Sequence, residues 1–216
     1  MPSRQGSGSG SGGNQSCCGG EGFCGFLFTV GLLVLIYWAI FQPHHIRATV
    51  DSTTLSNLTV SNSNASSVAE VSYNLAVNLN LYNPSVRVSI YYDTIDAKLR
   101  FRDAVLGPAA NGTSPSEFYQ RRKASDGVKL EFDYGRPGVG VSVDVAGELQ
   151  KEMSSEAPVV RLELDVDVRV RYVFRIFKLR QKPRIWCSLS IPVKAEGPGP
   201  AVGGAVASDE RCRVKY

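Results

Sequence analysis

Histidine is almost missing from this chain. His44 and His45 are its whole supply in 216 residues, and they stand side by side. A nucleophilic triad needs an imidazole oriented beside a serine or cysteine, and an adjacent pair just past an apolar run is badly placed for that. Zinc sites draw on several cysteines and histidines at set spacings, whereas only Cys187 and Cys212 follow residue 45. The glycine-rich stretch Gly135–Gly140 lacks the Lys-Ser/Thr of a phosphate loop and precedes a strand pattern, so it reads as a turn. Helical periodicity is also lacking: beyond residue 41 no segment repeats apolar residues every 3.6 positions. Charge of either sign is in modest supply, with 24 Lys and Arg against 20 Asp and Glu, a net +4. That excess is far from what nucleic-acid binding demands. The expectation is therefore a non-enzyme with no cofactor, no metal and no nucleic-acid partner.

Charge is wholly missing from one run, Phe23–Phe41 (FCGFLFTVGLLVLIYWAIF). As a helix it reaches about 28 Å, close to a hydrocarbon core of about 30 Å. Tyr37 and Trp38 sit near its far end, where amphipathic rings favour the membrane interface. A cleaved signal peptide would have a shorter apolar core, a basic start and small residues at the cut. Here only Arg4 is basic before the run, and Trp38-Ala39-Ile40-Phe41 is a poor cleavage context. The run is read as an uncleaved transmembrane helix that holds the chain to membrane lipids. Residues 1–22 are a Gly/Ser-rich tail that cannot bury enough surface to fold. Cys17, Cys18 and Cys24, at the edge of the helix, are either acylation sites or free thiols.

Flanking charge hardly orients the helix, because Arg4 and Arg47 lie on opposite sides of it. Three sequons follow it, at Asn57, Asn64 and Asn111, which favours an N-terminus in the cytosol and the rest outside. On that side Cys187 and Cys212 read as one disulfide. Closing a loop of about 25 residues, it would contribute on the order of 3 kcal/mol.

Residues 42–69, rich in Ser, Thr and Asn, read as a stalk with one strand at Ile46–Val50 or Leu55–Val60. From residue 70 every second position is apolar: Val71, Tyr73, Leu75, Val77, Leu79, Leu81. Period two marks strands with one buried face. Asn83-Pro84 ends the first, and a parity change at Asp93-Thr94 calls for a bulge, bend or turn in the next. Val128–Tyr134, Val139–Leu149, Val160–Tyr172 and Arg184–Lys194 continue the pattern. About seven such strands make an antiparallel β-sandwich over residues 70–216. Asp165 and Asp167 share a strand face with Arg161, Arg169 and Arg171, so cross-strand ion pairs are expected there rather than acid–base chemistry. Arg169–Arg184 holds seven basic residues and no acidic one, and Arg121-Arg122-Lys123 forms a second basic cluster. These are either solvated faces or contacts for an anionic surface.

The tail, the single helix, Asn83-Pro84-Ser85, Ile90-Tyr91-Tyr92-Asp93, Phe118-Tyr119-Gln120, Trp186-Cys187 and Cys212-Arg213-Val214 together resemble the plant harpin-induced-like proteins. Their outer domain is the type 2 late-embryogenesis-abundant, or water-stress and hypersensitive-response, domain. The resemblance implies a fibronectin-like β-sandwich at the plasma membrane with a role in defence and stress. It implies no catalysis, and it leaves open a protein or cell-wall partner, oligomerisation, or lipid held in a groove between sheets. The family's Asn-Pro-Asn is Asn-Pro-Ser here, so Ser85 must take over what the second Asn does, or that role is lost.

Overall fold

The computed structural model describes residues 21–41, 45–62, 68–110, 117–174, 177–194, 201–206 and 210–216. Cys17, Cys18, Asn64 and Asn111 lie outside them, as does the side chain of Cys24. The chain divides into two units, Met1–Pro43 and His44–Tyr216.

The first unit carries helix α1, Glu21–Phe41, over the uncharged run. Its apolar side chains stand exposed, Phe28 at 75% and Leu35 at 64%. Side chains are described over residues 25–39, and among the described residues no helix is long and apolar enough to cross a membrane.

The second unit is almost wholly antiparallel β. Its strands are β1 (Arg47–Asn62), β2 (Val68–Tyr82), β3 (Ser89–Phe101), β4 (Ala104–Pro108), β5 (Phe118–Gln120) and β6 (Ser125–Ser142), then β7 (Val159–Phe174), β8 (Phe177–Gln181), β9 (Arg184–Lys194), β10 (Ala201–Val206), β11 (Glu210–Arg211) and β12 (Arg213–Lys215). One helix, α2 (Val143–Met153), follows β6. The strands run in the order β4-β3-β7-β9-β10-β1-β2-β6, with β5 on β3, β8 on β7, β11 on β1 and β12 on β9. The two ends of this path meet. The Ala110 amide donates to the Glu131 carbonyl (2.8 Å), the Tyr134 hydroxyl to Pro108 O (2.7 Å), and the Tyr73 hydroxyl to Leu106 O (3.2 Å). Gly107, at φ 144°, permits that approach: a Cβ there would lie 2.4 Å from the Tyr134 ring. The path thus folds back on itself around one apolar core.

Period two does the folding. On β2 the six alternate residues from Val71 to Leu81 are all buried, and on β7 so are Val160, Leu162, Leu164, Val166, Val168 and Val170. The parity change in β3 is a bulge: the register against β7 slips between Tyr92 and Thr94, which keeps both Tyr92 and Ile95 inside.

Three expectations are corrected. The folded unit begins at His44, not residue 70. The expected stalk carries sixteen-residue β1, an interior strand paired with β2 on one side and β10 and β11 on the other. Its Ser- and Asn-rich positions are the outward half of a strand whose Ala48, Val50, Leu55 and Leu58 are buried. Gly135-Arg-Pro-Gly138 does not reverse the chain. Both flanks pair with β2, Tyr134 opposite Tyr73 and Val139 opposite Val71, with the register shifting between them, so the four residues bulge out of β6 opposite Ser72 alone. Finally, the alternating valines from Val139 do not continue as strand to Leu149. The chain turns helical after Ser142 and buries Ala146 and Leu149, with Val145 and Met153 half-buried beside them. That spacing is helical, and Asp144 in the first turn and Lys151 in the last suit the helix dipole.

Candidate functional site

The motif residues converge on the end of the sheet where β1 begins. Arg47 there pairs with Tyr82, and Tyr82 with Ser125, so the loops 83–88 and 121–124 leave the sheet side by side. Asn83, fully buried, ties them together. Its Nδ2 donates to the Val88 carbonyl (3.0 Å) and the Arg121 carbonyl (3.2 Å), its Oδ1 accepts from the Ser85 amide (3.0 Å), and its own amide donates to Ala124 O (2.9 Å). Pro84 fixes the extended exit from β2 that points this amide inward. Ser85 has a task of its own: its hydroxyl accepts from the amides of Arg87 (3.3 Å) and Val88 (3.0 Å), and its carbonyl accepts from Lys123 N (3.2 Å).

Gln120, also fully buried, joins the next layer. Its Nε2 donates to Leu81 O (2.7 Å), and its Oε1 accepts from the Tyr92 hydroxyl (3.0 Å). The Tyr92 ring stacks on Phe118, centroids 4.4 Å apart and nearly parallel. Burial first, then the neighbouring Tyr216 and Asp126, hold the Tyr92 hydroxyl far above its ordinary pKa, so it remains a proton donor. Outside, Tyr91 packs on Tyr119 at 4.6 Å, and the Tyr119 hydroxyl donates to Ser89 Oγ (2.8 Å). Arg171 lies over the Tyr91 ring and binds Asp93, the bulge residue, at 2.6 Å. These polar groups are spent on one another. The arrangement is a rigid clamp that presents Arg121, Arg122 and Lys123, all exposed, on its outer loop.

The remaining sequence-derived positions are spread. Cys187 and Cys212 form a disulfide that ties β9 to the segment before β12. Asn57 is exposed on a β1 bulge at φ 56°, beside a polar cleft of about 600 Å³ lined also by Glu70, Ser72 and Arg136. Asp167 binds Arg184 of β9 at 2.7 Å, its direct cross-strand partner. The His45 ring packs against that of Tyr216, tilted by 49° with centroids 4.7 Å apart. Among the described residues no group of three His, Cys, Asp or Glu could hold a metal.

Sequence reasoning missed Tyr216. Its hydroxyl accepts from the Ile46 amide (2.7 Å) and shares a hydrogen bond with Tyr172 (3.1 Å), pinning the start of the folded unit to its last residue. Partners 170 positions apart leave no local signal.

NDR1/HIN1-like protein 3 of Arabidopsis thaliana is 28% identical over 188 residues, covering 87% of this chain and 75% of that one. NDR1/HIN1-like protein 2 of the same plant is 27% identical over 79% of this chain and 65% of its own, and protein 10 is 26% identical over 76% and 68%. The profile of the family described as late embryogenesis abundant protein matches residues 78–189, just over half of the chain, and takes in Asn83, the aromatic motifs, Gln120 and Cys187. This chain belongs to the late embryogenesis abundant family, among its harpin-induced-like members.

Proposed function

We propose that the protein is a single-pass, membrane-anchored interaction module of plant defence and stress responses. Its N-terminus lies in the cytosol and its β-domain outside, at the plasma membrane, and it does no catalysis. The observation that carries this reading is α1: a helix that is uncharged from Phe23 on and whose described apolar side chains stand exposed, preceding in the chain a domain of the harpin-induced-like kind. Exposed apolar side chains of this kind are supported by a bilayer core, which supplies the burial that water does not. The Cys187–Cys212 disulfide and the exposed Asn57 sequon suit an oxidising compartment. Binding of lipid in a groove between sheets is the weaker reading, because that space is filled by side chains such as Leu79, Phe101, Phe132 and Leu164.

Complementation tests it. Plants lacking the protein should lose part of their hypersensitive cell death when challenged. The full chain should restore it, and residues 44–216 made in the cytosol should not. Full rescue by the untethered cytosolic form would overturn the reading.

A further inference from the structure

The β-domain is electrically polarised along its strands. At the end where β1 begins, Arg47, Arg87, Arg121, Arg122 and Lys123 are all exposed, and among the described residues none of the five forms an ion pair. Their acidic neighbour Asp126 is half-buried. Val86, 57% exposed, projects from the same loop as Arg87. Arg47 also lines a cleft of about 480 Å³ with Arg211, over Ile46, Ala48 and Val214. At the opposite end the charges are mixed: Asp103 and the α2 residues Asp144 and Glu148 are exposed, as are Lys151 and Lys194, and Arg102 is taken up by Glu148 and Glu152.

Chain length bears on which end would meet the membrane if α1 crosses it. Arg47 follows Phe41 by six residues, which span about 20 Å at most. If α1 crosses the bilayer, the basic end cannot be carried far from the headgroups, and weak contacts act there at high effective concentration. We propose that this end docks on anionic lipid headgroups of the leaflet from which α1 emerges, with the 83–88 and 121–124 loops as the contact and Val86 entering the interface. The opposite end, of mixed charge, makes no part of this contact. The clamp at Asn83 is what makes the contact rigid, since both loops hang from one buried amide. This inference rests on the anchor reading for its geometry, but the lipid contact is measurable without it.

The domain His44–Tyr216 has its own core and disulfide, so it can be studied alone. It is mixed with vesicles of phosphatidylcholine, with or without phosphatidylserine, and sedimented. The expected result is binding to the anionic vesicles only, weakening as salt rises. In the variant Arg121→Gln, Arg122→Gln, Lys123→Asn the affinity should fall at least about tenfold, at unchanged melting temperature. Asn is chosen because Lys123 holds φ 52°. The control Arg136→Gln, Lys151→Gln, Lys194→Gln removes the same charge elsewhere and should bind as the parent does. Absence of binding to anionic vesicles, or equal loss in both variants, overturns the proposal. Carbonate washing of membranes holding the full chain reads the anchor separately: release there overturns the anchor reading and leaves the vesicle result standing.

Discussion

Asn83 completes four hydrogen bonds inside the protein, and the two carbonyls it serves belong to loops with no other regular structure. Asn83→Ala leaves the Val88 carbonyl without its Asn83 donor and the Arg121 carbonyl with only the longer contact from the Ala124 amide (3.4 Å), and should cost about 2 kcal/mol, read by urea unfolding. Ser85→Ala should cost about 1 kcal/mol, and Ser85→Asn, which restores an acceptor, should recover most of it. The tyrosines add a pH dependence. Burial, as the largest cause in each, raises the pKa of Tyr73, Tyr92 and Tyr172 above the ordinary 10.0. In the unfolded chain these hydroxyls ionise near pH 10, while in the fold they stay protonated. Stability they confer is therefore whole below pH 10 and is lost as pH rises above it, by about 1.4 kcal/mol per pH unit for each tyrosine. Melting temperature followed from pH 9 to 11 should fall steeply, and Tyr92→Phe should flatten the slope by one proton's worth. The sequence makes Asn83 and Gln120 conspicuous as motif residues. It does not reveal that they share one clamp, because Asn83 and Arg121 are 38 positions apart and Gln120 and Leu81 are 39.

Strands with a strict period of two were legible wherever one face is buried: β2 and β7 stand where alternation places them, and the parity change at Asp93-Thr94 left a bulge, bend or turn, of which pairing with β7 selects the bulge. Elements failed where the same letters serve two geometries. Val139, Val141, Val143 and Val145 alternate as a strand would, yet the helix starts at Val143, because Ala146, Leu149 and Met153 bury only at helical spacing. Likewise a Gly-Arg-Pro-Gly tetrapeptide is compatible with a hairpin or a bulge, and pairing of both flanks with β2 selects the bulge. The β9–β12 region depends on its crosslink. β12 is three residues long and reaches β9 alone in the sheet, while Cys212 joins Cys187 across 25 positions. Replacing both cysteines by Ser should cost about 3 kcal/mol and lower the melting temperature by about 10 °C. Amide exchange should rise first in β12 and at Ile46, whose amide is held by Tyr216. A variant as stable as the parent would mean the strand is held without the disulfide.

Across the molecule, a helix uncharged from Phe23 on precedes a closed antiparallel domain, and Arg47 at that domain's basic end follows Phe41 by six residues in sequence. Helix position and β-class were legible because both rest on hydropathy patterns that need no partner to be recognised. Closure of the sheet by β4 against β6, and the convergence of Arg47, Arg87 and the 121–123 loop on one end, were not legible, since they depend on strand order. Membrane anchoring with the domain outside is the reading we propose for this chain. It is tested most directly by protease protection of the full chain in sealed plant microsomes, before and after carbonate washing. The expected outcome is a protein that stays in the carbonate-washed pellet and keeps a protected fragment covering His44–Tyr216 with Cys187 and Cys212 oxidised. Release of the chain into the wash, or digestion of the domain in intact microsomes with both thiols free, would contradict it.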